Sequence, residues 1–561
     1  PHLHRSTSKD AVVSHGVDLE ETGSTTAGGL ALLGGRLSGR RIAVGVLSSL
    51  LLTAHGTWSV SAAQRLEVAI DGVVLPVLVD DLGRWVRSGG RQRSELGTWL
   101  SLLDPSSREG VLKLLQAPVL TRRSFGQQML RSWAAKPLLN ALSVLIQVDS
   151  GTTRASDLVL ETLERLLSES SSVTTLDVLE ALPVDSLRLD LDALAQACQR
   201  WQQSLERQQG LTRELARERL DSPLLSRSKL PTANVHRRDL GLPTEHRRDD
   251  LNLQIWTPEQ AQRSSWILVM PGLGGDPDHF HWLADGLARA GWSVVLLEHP
   301  GSDSQAIQEL LEGRQTFDGA RALRQRLDDM TATIDAQARG DLPIPGDRVV
   351  LIGHSLGALT ALLAMGTQPV SDLTRTCSQA LRDLPLTNLS LLIQCELAAG
   401  DVLKALDRPK QLEAVVAFNS FGSLLWPDPR PGSTPPPLMV LGGTLDLITP
   451  PLDEQLTVLG SLGTHPSSRA VIAEGASHFS AIRIEPNASP GQSEDLFQLS
   501  EDLVGVQPES VQDIFLGEVV HFLQQVETSE GLKASRHGLR DRIRWHRLNR
   551  EDTLDLVQDL Q

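Results

Sequence analysis

Arg348-Val349-Val350-Leu351-Ile352-Gly353-His354-Ser355-Leu356-Gly357-Ala358-Leu359 decides how this chain is read. An apolar β-type run feeds Gly-His-Ser-Leu-Gly, and small or apolar helix formers continue from Ala358 to Met365. A strand, a sharp turn and a helix in this order form the setting that a nucleophilic serine needs. The turn forces Ser355 into a strained backbone conformation. Gly353 and Gly357 remove the side chains that would otherwise collide with the flanking strand and helix. The hydroxyl of Ser355 is then expected at the C-terminal edge of a sheet, over the positive end of the next helix.

A serine hydroxyl is a poor nucleophile near neutral pH. It needs a base, and the base needs an acid to orient it. In the α/β-hydrolase arrangement the chain order is serine, acid, histidine. The β-run Leu438–Leu441 is followed at once by Gly442-Gly443-Thr444-Leu445-Asp446, so Asp446 is the expected acid, with Asp453 and Glu474 as alternatives. Val471 and Ile472 form a short last strand, and Gly475-Ala476-Ser477-His478-Phe479 follows it. Small neighbours let the imidazole of His478 approach Ser355, so His478 is the expected base. A tetrahedral intermediate also needs preorganised donors for its oxyanion. The backbone N–H of Leu356, directly after the serine, is one. The N–H of Leu273, in Pro271-Gly272-Leu273-Gly274-Gly275 after the run Trp266–Met270, is the other.

Two neighbouring clusters are read as bland. Asp276, Asp278, His279 and His281 bunch together but lack companion ligands, and are expected to form a solvated loop rather than a metal site. His299 is placed to line the pocket, with no role following from its position. No metal and no organic cofactor is implied.

Around this centre, strands and helices alternate from residue 250 to a closing helix with the stripe Phe515, Val519, Phe522 and Val526. The fold class is α/β, with a mostly parallel sheet covered by helices on both faces. Residues 366–412 exceed what a strand-to-helix connection needs, and are read as a cap over the site. Cys377 and Cys395 lie inside it. They either pair in an oxidising compartment or remain two buried thiols, and with Cys198 they form no metal-type cluster.

The chain has 561 residues, enough for more than one domain. Its formal net charge of −16 leaves no basic face for phosphates and excludes a nucleic-acid partner. Residues 1–39 read as a disordered leader. Arg40-Arg41, the apolar run Ile42–Ala54 and the small-residue end Ser59–Ala63 read as an export signal, with a buried helix or an uncleaved anchor as the alternatives. The expected location is the periplasm, the thylakoid lumen or the extracellular space, with no stable membrane insertion after cleavage. Residues 64–220 are expected to be mainly α-helical behind a small hairpin, with Leu66, Val68 and Ile70, a turn at Asp71-Gly72, and Val73–Val79. Helices are expected near 106–117, 122–134, 136–147, 155–168, 174–182 and 190–219. Residues 221–249 read as a charged linker carrying the echo His236-Arg237-Arg238-Asp239 and His246-Arg247-Arg248-Asp249. Residues 528–561 read as a peripheral tail.

From about 250 to 527 the chain resembles α/β-hydrolases of the dienelactone-hydrolase and platelet-activating-factor-acetylhydrolase-like group. The resemblance rests on Pro271–Gly275, Glu298-His299-Pro300-Gly301-Ser302-Asp303, Gly353–Gly357, Gly442–Asp446 and Gly475–His478. Residues 64 to about 201 resemble a helical domain of uncharacterised function that precedes such hydrolases in cyanobacteria. The resemblance implies a serine hydrolase acting on a small ester or lipid-like substrate through an acyl-enzyme. It departs in two places: many relatives read His-Gly where this chain has Pro271-Gly272, and true dienelactone hydrolases use cysteine where this chain has Ser355. An acyltransferase on the same residues, or a binding protein on a retired fold, are the rival readings. The partner of the helical domain is not legible.

Overall fold

The computed structural model describes residues 65–221, 233–483 and 507–560, apart from 71, 93, 102–104, 117, 122–145, 149–154, 171, 261–262, 312–313, 316–317, 382–386, 400–401, 404–406 and 429–434. The leader, the export signal and the helix expected over 122–134 lie outside the described residues. No described helix is long and apolar enough to cross a membrane.

The first unit opens with β1 (Arg65–Ile70) and β2 (Val73–Leu78), an antiparallel hairpin as the alternation implies. The hairpin does not stand alone. After β3 (Pro118–Thr121), β4 (Ile146–Val148) and β5 (Ser172–Thr174), strand β6 (Ser186–Asp190) pairs parallel to β1 and antiparallel to β4. The result is a four-stranded sheet in the order β2-β1-β6-β4. Helices Val79–Arg87, Pro105–Gln116 and Thr175–Ala181 pack near it around Trp85, Leu176 and Leu187. Strands of three to five residues, as β3 to β6 are, leave too little periodicity to be read from the chain.

A helix of 27 residues, Leu191–Arg217, leads out of this unit, capped by the Asp190 carboxylate on the Ala193 N–H. Its later turns bury Leu211 and Leu215 in the core of the second unit, and Gln208 Nε2 donates to Asp453 at 3.0 Å.

The second unit is a sheet of ten strands: β7 (Val235–Leu242), β8 (Leu251–Pro258), β9 (Ser265–Met270), β10 (Ser293–Leu297), β11 (Arg348–His354), β12 (Leu412–Phe418), β13 (Leu438–Gly443), β14 (Arg469–Ala473), β15 (Arg536–Arg540) and β16 (Ile543–Leu548). Their order is β15-β16-β14-β13-β12-β11-β9-β10-β8-β7. The run from β10 to β14 is parallel throughout, and antiparallel pairs extend it on both sides.

Successive side chains of a strand point to opposite faces, and here both faces are buried. Leu268, Leu351, Val415, Val440 and Ile472 pack on one side against helices Gly319–Arg339 and Leu356–Leu363. Val269, Ile352, Val416, Leu441 and Val471 pack on the other against helices His281–Arg289 and Pro508–Glu527. This double burial is why the central strands read as unbroken apolar runs. The long helix Gly319–Arg339 starts where Asp318 accepts from the Arg321 N–H and stops at Gly340, with φ 84°.

Two stretches correct the sequence reading. The linker at 221–249 contains β7, and its second echo is docked: His246 Nε2 and Arg247 reach the buried carboxylate of Asp329. The tail at 528–561 contains β15, β16 and helix Arg550–Leu560. In β16 the charge of Arg547 is neutralised by Glu518 at 2.6 and 2.9 Å, so a sequence rich in Arg and His still lies inside the sheet. Within 366–412, helices Leu373–Ala380 and Ser390–Ala399 are joined by a disulfide between Cys377 and Cys395, with Cα atoms 5.4 Å apart.

Candidate active site

Four loops at the C-terminal ends of β9, β11, β13 and β14 meet at one edge of the sheet, where ligands bind in open α/β sheets. Ser355 follows β11 with φ 51° and ψ −114°, a left-handed conformation rare for a residue with a side chain. Its N–H donates to the Phe418 carbonyl at 2.9 Å, which ties the turn to β12. The flanking glycines are required by contact. A Cβ on Gly353 would sit 2.2 Å from the Gly357 oxygen, and one on Gly357 would sit 2.1 Å from the Met270 oxygen.

Asp446 and His478 are brought together. His478 Nδ1 lies 3.0 Å from Asp446 Oδ2, and both side chains are buried. The two loops press on each other. Leu445 N–H donates to the Ala476 carbonyl at 2.9 Å, and Gly443 has no room for a Cβ against that same carbonyl. The carboxylate is well supplied. Its Oδ1 accepts from the Ile448 and Thr449 amides, and its Oδ2 from the Asn419 amide at 2.8 Å and the Thr449 hydroxyl at 2.6 Å. Burial alone would raise the carboxyl, but the adjacent His478 ring and the Thr449 donors outweigh it and hold Asp446 below the ordinary carboxylate range. With Nδ1 on the acid, Nε2 of His478 is the ring nitrogen that faces away from it. Asp453, one alternative acid, is turned to Gln208, and Glu474, the other, to His546.

His354, inside the elbow, links serine and base. Its Nε2 donates to the His478 carbonyl at 3.0 Å, and the two rings lie 5.0 Å apart. Burial, with the nearby His478, pushes His354 down to about 3, so it is neutral at physiological pH. The glycine-rich loop after β9 lies against this pair. A Cβ on Gly272 would meet His354 Nδ1 at 2.9 Å and Ser355 Cβ at 3.1 Å. In that loop the Gly274 and Gly275 amides are used, bonding to the Ser302 and Gly272 carbonyls. Among the described residues the amides of Leu273 and Leu356 have no acceptor. Leu356 is the first residue of its helix, where an N–H has no intrahelical partner. These are the two amides that the sequence reading assigns to the oxyanion.

Three residues escaped the sequence reading: Asn419, Thr449 and Arg326. Asn419 has φ 46° directly after β12, so an Asn ending an apolar β-run was the available signal. Arg326 is fully buried beneath the β9 loop. His299 does not line the pocket; it is buried with Nδ1 2.9 Å from Asp329. His279 closes a capping contact with Asp276, and His281 bonds to Gln254. No group of three or more His, Cys, Asp or Glu among the described residues could hold a metal.

A family model described as "Alpha/beta hydrolase of unknown function (DUF1400)" matches residues 62–190, and one described as "alpha/beta hydrolase fold" matches residues 265–381. The first covers the four-stranded unit, and the second runs from β9 through the serine elbow into the helices after it. No curated protein matches the chain. The chain has the α/β-hydrolase fold, which supports a hydrolase-type function.

Proposed function

We propose that the protein is a serine hydrolase that cleaves carboxylic esters, with Ser355 as nucleophile, His478 as base and Asp446 as orienting acid. One observation carries the reading: a serine at φ 51° shares a loop edge with a histidine whose Nδ1 is held 3.0 Å from a buried carboxylate. A neutral His478 takes the Ser355 proton at Nε2 as Oγ attacks the ester carbonyl carbon. The carbonyl π electrons move to oxygen, and the amides of Leu273 and Leu356 hydrogen-bond the resulting oxyanion. The C–O bond to the alcohol breaks, and His478 returns its proton to the leaving alkoxide. Water then repeats the sequence on the acyl-enzyme, releasing the acid and restoring Ser355. Asp446 keeps Nδ1 protonated and stabilises the imidazolium; it gives up no proton. These steps draw on no metal and no cofactor.

The substrate class is a small ester or lipid-like molecule, in keeping with the resemblance to the acetylhydrolase-like group. Export is part of the proposal. The disulfide Cys377–Cys395 suits an oxidising compartment, and the signal at 40–63 lies outside the described residues.

The test is hydrolysis of p-nitrophenyl esters from acetate to palmitate by the chain without residues 1–63, beside Ser355→Ala. Turnover lost in the variant, with a fluorophosphonate labelling the unsubstituted chain at Ser355, is the expected result. No turnover and no labelling would overturn the reading and favour a binding protein.

A further inference from the structure

The guanidinium of Arg326 is fully buried. Its Nη1 donates to the Pro271 carbonyl at 2.6 Å and its Nη2 to the Gly272 carbonyl at 2.7 Å. Its Nε donates to Ser302 Oγ at 2.7 Å, with a longer contact from Nη2 to the Ser302 carbonyl at 3.3 Å. None of these bonds goes to a carboxylate. A buried cation is costly unless it is hydrogen-bonded and faced by opposite charge; Asp329 and Asp303 lie near enough to favour this one, while two of its hydrogen bonds go to backbone carbonyls of the loop beside the nucleophile. Its neighbour one turn on, Asp329, is engaged by His246, Arg247 and His299 instead.

The Gly272 carbonyl and the Leu273 N–H belong to one peptide unit. No cis peptide bond occurs in the described chain, and in a planar trans peptide the C=O and N–H point in opposite directions. Fixing the carbonyl on Arg326 therefore fixes the N–H on the opposite side. That N–H has no acceptor among the described residues, and the loop carrying it lies against Ser355. A charged donor on the carbonyl also polarises the peptide and makes its N–H a stronger donor.

We propose that Arg326 is the positioning residue of the oxyanion site: it clamps the Pro271 and Gly272 carbonyls so that the Leu273 N–H is held ready for the oxygen that becomes negative. Arg326 touches no substrate and acts through the loop. The proposal rests on the ester-hydrolase reading above.

The test uses the chain without residues 1–63, a p-nitrophenyl ester, a trifluoromethyl ketone as a mimic of the tetrahedral oxyanion, and a fluorophosphonate to count competent Ser355. Arg326→Lys keeps a positive charge but lacks the planar fork that spans these four acceptors. Its kcat per labelled serine is expected to fall about 10- to 100-fold, less than outright loss of a donor. KM should stay within about 2-fold, and ketone affinity should fall in step with kcat. An arginine that only packs the core would lower the melting temperature and the labelled fraction. It would leave kcat per labelled serine and ketone affinity within about 2-fold, which overturns the proposal. Ser302→Val is the second variant; it removes the acceptor of Nε and loosens the clamp with Arg326 in place. It is expected to lower kcat roughly 3- to 10-fold at constant KM. Should Arg326→Lys not fold, unchanged kcat and ketone affinity in Ser302→Val overturn the proposal. Absence of turnover and labelling in the unsubstituted chain removes the hydrolase reading and this one with it. Turnover that survives both substitutions unchanged removes only the role of Arg326.

Discussion

Asp446 holds its place through backbone amides, a hydroxyl and an amide side chain, so its task is to orient as much as to carry charge. Asp446→Asn keeps the shape but offers Nδ1 of His478 the wrong partner. The expected result is a loss of about 10³- to 10⁴-fold in kcat with little change in KM, measured as initial ester rates on folded protein. At this scale the sequence was informative where chemistry and chain order coincide. Ser355, Asp446 and His478 each follow an apolar β-run within a few residues, in the order that catalysis by a serine demands, and small residues flank the first and last. Thr449 and Arg326 carry no such local mark, and Asn419, though it follows the apolar run of β12, has nothing in its local sequence that ties it to the acid. Asn419 and Arg326 act through hydrogen bonds to loops from other parts of the chain, across 27 residues to Asp446 and across 54 to Gly272, while Thr449 bonds to Asp446 three residues before it. Only the folded arrangement reveals those partners.

Among elements, the segment Leu452–Leu456 after the acid loop is the joint between residues 366–412 and the sheet. Glu454 in it is fully buried and accepts from the Asn388 and Gln394 amides, the Ser390 and Ser423 hydroxyls, and the Gly422 and Ser423 N–H groups. Asn388 lies just before helix Ser390–Ala399 and Ser390 and Gln394 lie within it, and the Ser390 N–H also donates to the Ile448 carbonyl near Asp446. Glu454→Gln turns an NH₂ group against donors. It is expected to cost about 2–3 kcal/mol in urea unfolding and to speed protease cleavage within 366–412. Strands were legible where both faces are buried, because the apolar run is then continuous. Strand β7 was not. His236, Arg237, Arg238 and Asp239 are all exposed in it, and a strand with one row of partners and a wet surface has the composition of a connector. In β16 the misleading feature was Arg547, whose charge disappears against Glu518, a residue of a helix some thirty positions earlier.

For the whole molecule, pH is a direct probe of the buried imidazoles. Burial pushes His299 down to about 4, and His354 and His546 down to about 3. Each is neutral when folded, whereas in the unfolded chain it binds a proton near pH 6.5. Unfolding therefore takes up protons between those values, and stability falls as pH drops from about 6.5 towards 3 to 4, by up to about 1.4 kcal/mol per pH unit for each histidine. Asp446, lowered when folded, adds a further loss of the same sign below about pH 4. Urea midpoints at pH 7.5, 6 and 5 should decline in that order, with a shallower slope in His354→Gln; a flat series would contradict this account. The division of the chain was legible in outline but not at the seams. Helix Leu191–Arg217 begins in the four-stranded unit, yet its Leu211 and Leu215 complete the core of the other, and amphipathic helices do not announce which core they serve.

The ten-stranded sheet ends on β7 and β15, and beyond them no described strand pairs, although Asp221 takes the outward N–H and C=O of His537 in β15. An open row of backbone donors and acceptors is a template on which another copy can stack, leading to clumping and loss of soluble protein. Both outer strands carry arginines: Arg237 and Arg238 on one, Arg536 and Arg540 on the other. The charges that disguised β7 as a connector thus act as guards against self-adhesion. Replacing Arg237 and Arg238 together by Val and Thr should leave the melting temperature nearly unchanged but make light scattering rise with concentration and time, whereas the original chain stays clear.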